Sequence, residues 1–282
     1  MSKMNYKMMG VINITPNSFS DGGKNLAPET ILLNCQKMAK LGASCFDLGA
    51  ESTAPFNDKV SLELELGRFK ENLFPVLGDI LKLKRTISID TYKPAVFSAL
   101  AEEIYRIDSK TNLIWNDVSG SVDPSLKETL KEYPDCTYVL SHNLAPRREL
   151  TSDHMDYLEE ELDLRSFFES RLAKLAFHQK ILLDPCFGFS KDFNQNWELI
   201  LKLPELVASF ENGWVLGLSK KSFLRSAGQK LTDERAIFTE ILHLGILLNW
   251  QENLPLNPYY LRVHDVALGH FLTLGQQDLT FG

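Results

Sequence analysis

Eight short apolar runs, each ending in a small polar cluster, recur along this chain and constrain its fold more than any other feature. In order they are MMGVIN, CFDLGA, TISID, LIWND, YVLSH, ILLDP, VLGLS and YYLRVHD. Each run is typical of a buried strand, and segments with helical spacing lie between the runs. Strand and helix alternating eight times in 282 residues predicts a (β/α)8 barrel, so we expect residues 1–282 to form a single α/β TIM-barrel domain.

The predicted helices follow the apolar periodicity of the intervening segments. They are Pro28 to Leu41, Leu62 to Leu83, Pro94 to Ile104, Pro124 to Tyr133, Leu164 to Phe177, Trp197 to Phe210, Asp233 to Trp250 and Val266 to Leu274. The acidic, weakly periodic stretch from Asn143 to Asp163 indicates an extended loop plus the start of a surface helix. A doubly wound open sheet also alternates strands and helices, but the long polar loop from Thr15 to Ala27 fits a barrel better.

The composition argues against several classes of protein. A net charge of -7 disfavours non-specific nucleic-acid binding, which needs a clustered basic surface. The four cysteines show no close pairing, which indicates a reducing compartment, and no apolar run is long enough to predict a membrane span. Because MSKMNYKMM lacks a signal-peptide pattern, we expect a soluble, cytoplasmic protein.

Four polar side chains stand at the ends of four apolar runs: Asp90, Asn116, Asp184 and Lys221. The carboxyl ends of all strands in a parallel barrel lie at the same rim, so these side chains are expected to meet there. Each alone is commonly a helix cap or a turn residue. Together they predict two carboxylates balanced by Lys221 or by a ligand. In this arrangement Asp184 would accept paired N–H bonds from a heterocycle, and Asn116 would offer both a donor and an acceptor.

A second group has the chemistry of an anion site. Arg262 and His264 alternate along the last run and face one side of it, and Asn13 leaves the first strand, which neighbours the last in a closed barrel. These residues can hold a phosphate or pyrophosphate; the alternative is a surface ion pair for Arg262 beside a packed His264. Ser222, at the start of the helix after the seventh run, would either bind a carboxylate or act as an ordinary cap.

Seven motifs in order resemble the dihydropteroate synthase family, from residue 10 to residue 265. They are GVINITPNSFSDGG, DLGAEST-P, ISIDTYK, NDVSG, DP-FGFSK, GLSKKSF and RVHDV. The resemblance implies a (β/α)8 barrel, usually a homodimer, of the class that sulfonamides target. It also implies a transferase of folate biosynthesis that condenses hydroxymethyl-dihydropterin pyrophosphate with para-aminobenzoate, releasing pyrophosphate, with Mg²⁺ as cofactor. An aromatic amine attacks once it is positioned, so we expect no strong general base.

The resemblance also implies roles for individual residues. The pterin pocket would be lined by Asp90, Asn116, Asp184 and Lys221. The pyrophosphate would be held by Asn13, which is also the magnesium ligand, and by Arg262 and His264. The first loop contributes Phe19, Ser20 and Asp21, and the second Thr53 and Pro55; together with Phe189, Lys221 and Ser222 they would shape the aminobenzoate site. The residues expected to act in catalysis are Asp21, Asp90, Lys221, Arg262 and His264.

Some positions depart from the family pattern. Asn17 replaces an acid in the first loop and Ala54 an arginine in the second; Cys186 stands where glycine is usual and Lys220 where arginine is usual. The sequence favours a working, divergent synthase and leaves open a pterin-binding paralogue with little or no activity. A pterin-binding methyltransferase using methyltetrahydrofolate is a third alternative, but it does not need the SFSDGG loop or the RVH site, both of which are present.

Overall fold

A computed structural model describes residues 5–15, 27–51, 59–151, 163–229, 235–269 and 272, and it confirms the predicted barrel. The strands are β1 (Asn5–Asn13), β2 (Ala43–Gly49), β3 (Thr86–Asp90), β4 (Leu113–Asp117), β5 (Thr137–Ser141), β6 (Ile181–Asp184), β7 (Gly213–Leu216) and β8 (Pro258–Val263). All pair in parallel in sequence order, and β8 pairs with β1 to close the sheet. Each apolar run overlaps one of these strands. The single-domain interpretation of residues 1–282 stays a prediction.

Helices follow the strands as expected from the alternation. They are α1 (Pro28–Lys40), α2 (Leu62–Asn72), α3 (Phe74–Lys82), α4 (Pro94–Ile107), α5 (Pro124–Glu132), α6 (Leu164–Lys174), α7 (Phe193–Ala208), α8 (Ser222–Gln229) and α9 (Arg235–Asn253). Within the described ranges, no helix is both long and apolar enough to cross a membrane.

Most predicted helix ends are shifted by one to three residues, and two differences are larger. The segment Leu62 to Leu83 is two helices, α2 and α3, because Pro75 has no N–H to continue the ladder and instead occupies the first turn of α3. Helix α7 begins at Phe193, four residues before the predicted start at Trp197. A capping box causes this earlier start: Asp192 and Gln195 each bind the other's backbone N–H.

The remaining segments are described in part. Ser222 begins α8, a helix separate from α9, and residues 230–234 between them lie outside the described ranges. The predicted loop from Asn143 to Asp163 contains a 3-10 turn at Arg148–Leu150, while residues 152–162 are not described. Of the predicted last helix, Val266 to Leu274, only residues 266–269 and 272 are described.

Gly120 marks a place where the loop after β4 touches the loop after β5. Its φ is +64°, and a Cβ there would lie 2.5 Å from the Asn143 carbonyl oxygen and 2.8 Å from that of Ser141. We expect Gly120→Ala to lower the free energy of unfolding by about 2 kcal/mol or more, because left-handed backbone and a clash with backbone add together. Gly78→Ala is the control, since Gly78 lies in α3 with no heavy atom of the described residues within 4 Å of that Cβ. Urea unfolding that ranks Gly120→Ala as no less stable than Gly78→Ala would contradict this.

Candidate active site

The interior of the barrel has an apolar layer with a polar layer above it. Buried side chains of the lower layer pack together, with Tyr260 partly buried against them: Met9, Cys45, Ile114, Val139, Leu182 and Val215. Side chains two residues apart on a strand face the same side. The residues two positions further along these strands therefore form the next layer, which includes Asp47, Asn116, Ser141, Asp184 and Arg262. The apolar layer closes the barrel, and the polar layer becomes the floor of a site.

A cavity of about 720 Å³ opens above this floor, at the carboxyl ends of the strands. Nine of the residues singled out in the sequence line it: Asn13, Asp90, Asn116, Asp184, Phe189, Lys221, Ser222, Arg262 and His264. The other predicted site residues lie outside the described ranges: Phe19, Ser20, Asp21, Thr53 and Pro55. The expectation of a single rim is therefore met for every predicted site residue that the structure describes, while the individual roles stay predictions.

Arg262 is the cation that joins the carboxylates of the floor. Its Nε donates to Asp47 Oδ2 at 2.6 Å and its Nη2 donates to Asp90 Oδ2 at 2.6 Å. Lys221, the cation predicted to balance Asp90 and Asp184, opposes the rise in the pKa of both acids. Arg262 is a second cation that the prediction did not include, and its side chain extends from β8 to acids on β2 and β3. Arg262 is also not part of a surface ion pair, since its side chain is 21% exposed and that of Asp47 is fully buried.

Asp47 is a residue that the sequence interpretation missed. Its carboxylate also accepts from Ser88 Oγ at 2.6 Å and from Asn116 Nδ2 at 3.2 Å. The available signal was its place in CFDLGA, two residues after an inward-facing Cys45. An acid inside an apolar run is expected to have buried partners.

Three oxygen atoms of the floor are buried and have no hydrogen-bond partner within the described residues: Asp90 Oδ1, Asn116 Oδ1 and Ser141 Oγ. The first two belong to residues that line the cavity. Asn116 Nδ2 donates to Asp47, and Asn116 Oδ1 is the atom left unpaired, so Asn116 offers the cavity an acceptor. Unpaired buried acceptors are costly unless a ligand supplies donors. The floor is therefore suited to a ligand that carries several N–H groups.

Burial is the largest influence on the pKa values of Asp90 and Asp184. It raises the pKa of Asp90 to about 7, with Arg262 opposing and Asp47 adding to the shift. Burial also raises the pKa of Asp184, while the Cys186 N–H, which donates to Asp184 Oδ1 at 2.7 Å, lowers it. Each acid would gain from a cationic or donor-rich partner that stabilises its charged form.

Lys221 lies over the ring of Phe189, which lines the cavity. Its Nζ lies 4.8 Å from the centroid of the Phe189 ring. Burial lowers the pKa of Lys221, with Arg262 acting in the same direction and Asp184 and Asp90 opposing. An ammonium held over a ring face, close to two acids, provides positive charge inside a partly apolar chamber.

His264 directly follows β8, and Asn13 ends β1, the strand that pairs with β8. Ser219 Oγ accepts the His264 backbone N–H at 3.3 Å and contacts His264 Nδ1 at 3.0 Å, which fixes the ring. Burial and the positive charges of Lys220, Arg262 and Lys221 lower the pKa of His264 to about 3. The imidazole is therefore neutral at pH 7 and can offer one N–H to an anion.

Two departures from the family pattern occupy left-handed backbone. Cys186 has φ +54° and Lys220 has φ +60°, a region that favours glycine. Cys186 therefore retains the backbone turn that a glycine would allow and adds a buried thiol to the cavity wall, with burial raising its pKa to about 12. Asn17 and Ala54 lie outside the described ranges.

A buried cluster beside the cavity was also not predicted. Lys93 Nζ contacts Glu51 Oε2 and binds Glu65 Oε2 at 2.6 Å, and Glu51 Oε1 accepts the Val60 N–H at 3.1 Å. Because Glu51 and Val60 flank residues 52–58, this cluster joins the two ends of the second loop. Of these residues, Glu51 lines the cavity.

The described residues hold no cluster of three or more histidine, cysteine, aspartate or glutamate side chains able to bind a metal ion. Asn13 nevertheless lines the cavity, and its carboxamide oxygen is of the hard type that Mg²⁺ accepts. Magnesium sites commonly combine one or two protein oxygens with substrate phosphates and water, so the residues present fit an ion brought in with a diphosphate.

Comparison with known proteins adds independent findings. Residues 9–248 match the pterin binding enzyme family. A dihydropteroate synthase of Staphylococcus haemolyticus is 32% identical over 269 residues, covering 93% of this chain and 90% of that protein.

Two solved structures share the fold over nearly the whole chain. A dihydropteroate synthase from Clostridium difficile, determined in the presence of pteroic acid, superposes with a TM-score of 0.75 at 26% identity, covering 100% of this chain and 98% of that one. The Yersinia pestis dihydropteroate synthase in a sulfonamide drug complex also gives 0.75 at 26% identity, covering 96% and 92%. Both resemble this chain in fold and in extent.

Proposed function

Because the chain belongs to the pterin binding enzyme family and aligns over nearly its whole length with dihydropteroate synthases, we infer that it is itself a dihydropteroate synthase. It is a transferase of folate biosynthesis that joins 6-hydroxymethyl-7,8-dihydropterin pyrophosphate to para-aminobenzoate. The single observation in the structure that best supports this is one cavity that combines the unpaired buried acceptors of Asp90 and Asn116 with basic side chains, among them Lys221, Arg262 and His264.

The floor is suited to the pterin ring. A pterin presents an amino group beside a ring N–H, and a carboxylate such as Asp184 can accept both bonds. Asn116 Oδ1 and Asp90 Oδ1 lack partners among the described residues and can accept further N–H groups of the dihydropterin. Burial makes each of these bonds count for more than it would in water.

The basic side chains are suited to the departing pyrophosphate. When the C–O bond to pyrophosphate breaks, negative charge grows on the leaving oxygen and positive charge spreads into the electron-rich pterin. Arg262 and Lys221 supply positive charge, and the neutral imidazole of His264 supplies an N–H donor. Asp90, held by Arg262, favours the cation that remains on the ring.

The second substrate needs positioning more than activation. The aromatic amine forms the new C–N bond with its lone pair and then releases a proton to solvent or to the product pyrophosphate. Phe189 can stack against the aminobenzoate ring, and the free N–H groups at the start of α8, with Ser222, can bind its carboxylate. The proposed contributions of Phe19, Ser20, Asp21, Thr53 and Pro55 rest on the family resemblance alone.

We propose Mg²⁺ as the cofactor, bound through Asn13 and the substrate diphosphate. The ion would neutralise charge that develops on the pyrophosphate. A homodimer is a further proposal from the family resemblance, and a cytoplasmic location is a further proposal from the unpaired cysteines of the sequence. Sulfonamides are expected to occupy the aminobenzoate site, as a sulfonamide drug is bound by the Yersinia pestis relative.

We expect the purified protein, given both substrates and Mg²⁺, to release pyrophosphate and form dihydropteroate. EDTA should stop the reaction and excess Mg²⁺ should restore it, because the leaving group then loses and regains its counter-charge. The measurement is coupled detection of pyrophosphate, and omission of para-aminobenzoate is the control. Tight binding of the dihydropterin without product would instead favour the paralogue with little or no synthase activity.

A further inference from the structure

Asp47 belongs to the polar layer that forms the floor, but its side chain does not reach the surface of the cavity. It is fully buried on β2 and is absent from the residues that line the cavity. Its two oxygens accept from three side chains: Ser88 Oγ at 2.6 Å, Arg262 Nε at 2.6 Å, and Asn116 Nδ2 at 3.2 and 3.4 Å. Two of these donors, Arg262 and Asn116, belong to residues that do line the cavity.

The contact with Asp47 decides which end of the Asn116 amide faces the ligand. An ionised carboxylate only accepts hydrogen bonds, so Asn116 must turn its NH₂ group towards Asp47. Its Oδ1 is then left buried and without a partner among the described residues. In the same way, Arg262 is held by Asp47 through Nε while its Nη2 holds one oxygen of Asp90, which leaves Asp90 Oδ1 unpaired.

We propose that Asp47 is a positioning residue that sets the hydrogen-bond polarity of the pterin pocket. It makes the pocket floor accept hydrogen bonds by orienting Asn116 and Arg262, and it does not touch the ligand. This inference rests on the proposed function, because it assigns the floor to the N–H groups of a dihydropterin. No signal in the separate motifs connects Asp47 with Asn116, since the two are 69 residues apart.

The variant Asp47→Asn tests the inference with little change in shape. Its new NH₂ group cannot face the NH₂ group of Asn116, so the Asn116 amide is expected to turn and point its own NH₂ into the cavity. The NH₂ group of Asn116 would then face an N–H group of the dihydropterin, and no hydrogen bond could form between them. We expect at least about tenfold weaker binding of 6-hydroxymethyl-7,8-dihydropterin, measured by calorimetry. The KM for the dihydropterin pyrophosphate should rise similarly, and the KM for para-aminobenzoate should change by less than about twofold.

The double variant Asp47→Asn with Asn116→Asp is the decisive test of the inference. The carboxylate introduced on β4 would accept from the NH₂ group introduced on β2 and still present an oxygen to the ligand, and the number of buried charges is restored. We expect binding to recover to within about threefold of the wild-type protein, whereas Asn116→Asp alone places two buried carboxylates in contact and should bind poorly. This double variant also tests the inference if Asp47→Asn alone fails to fold.

Asp117→Asn is a matched control. Asp117 is also fully buried and also accepts from an arginine, Arg148 Nη1 at 2.6 Å, but Arg148, unlike Arg262, does not line the cavity. We expect this variant to lose stability while its folded form binds the dihydropterin normally. Unchanged binding by Asp47→Asn, or failure of the double variant to recover, would overturn the inference. Failure of the wild-type protein to bind the dihydropterin would overturn the proposed function as well.

Discussion

Replacing Arg262 by alanine is expected to lower the free energy of unfolding by about 3–5 kcal/mol and to abolish turnover. The guanidinium binds Asp47 and Asp90 at 2.6 Å each, so its loss leaves two neighbouring carboxylates buried without their cation. The stability loss is measured by denaturant unfolding and the activity by pyrophosphate release. An unchanged unfolding free energy would show that the bridge contributes little to the fold.

The stability loss should depend on pH in a defined direction. The pKa of Asp90 is raised by burial to about 7 even with Arg262 opposing, and Asp47 and Glu65 raise it while Lys221 lowers it. Without Arg262 the pKa rises further. A carboxyl with a raised pKa binds more protons in the folded than in the unfolded state, so it destabilises the fold above that pKa and less so below it. The Arg262→Ala deficit should therefore be larger at pH 8 than at pH 5.5.

Arg148→Ala is the matched control for Arg262→Ala. Arg148 also joins two acids, Asp117 at 2.6 Å and Asp123 at 2.7 Å, and it lies outside the cavity. Its replacement should destabilise the fold to a similar degree, while the folded fraction still turns over substrate.

His264→Ala tests the anion role by itself, since it should weaken binding of the pyrophosphate substrate far more than binding of the free pterin alcohol. Equal weakening of both ligands would contradict that role.

The sequence predicted the barrel and much of the site because both follow from local patterns. Eight apolar runs give eight parallel strands, and parallel strands bring their polar ends to one rim. That is why residues as distant in sequence as Asn13, Asp184 and Arg262 line one cavity. The resemblance of the motifs to a known family then suggested a role for each side chain at that rim.

The partners of each side chain could not be predicted in the same way. The pairing of Arg262 with Asp47 and Asp90 depends on the reach of a β8 side chain across the barrel interior to β2 and β3, which does not appear in a single run. Asp47 was missed because one acid in CFDLGA looks like many others until Ser88, Asn116 and Arg262 are seen around it. The position of a strand end follows from the local sequence, whereas the hydrogen-bond partners of a side chain are set only when the barrel closes.

Replacing Asp184 by alanine is expected to weaken dihydropterin binding by about a hundredfold or more. The carboxylate is the proposed acceptor of two charge-assisted N–H bonds from the pterin edge, each contributing about 1.5–3 kcal/mol when buried. The variant should also release the Cys186 N–H, which donates to Asp184 Oδ1 at 2.7 Å, so the loop after β6 is expected to loosen. Calorimetric titration with 6-hydroxymethyl-7,8-dihydropterin measures the loss.

Asp192→Asn separates this role from a general effect of cavity charge. Asp192 lines the same cavity but caps α7, a task that asparagine performs equally well. The change removes one negative charge from the cavity while keeping the helix, so dihydropterin binding should stay within about twofold of the wild-type protein. Asp184→Ala, by contrast, removes the group proposed to contact the ring. If both variants bind alike, the charge of the cavity, and not Asp184 itself, recognises the pterin, and the proposed pocket is wrong.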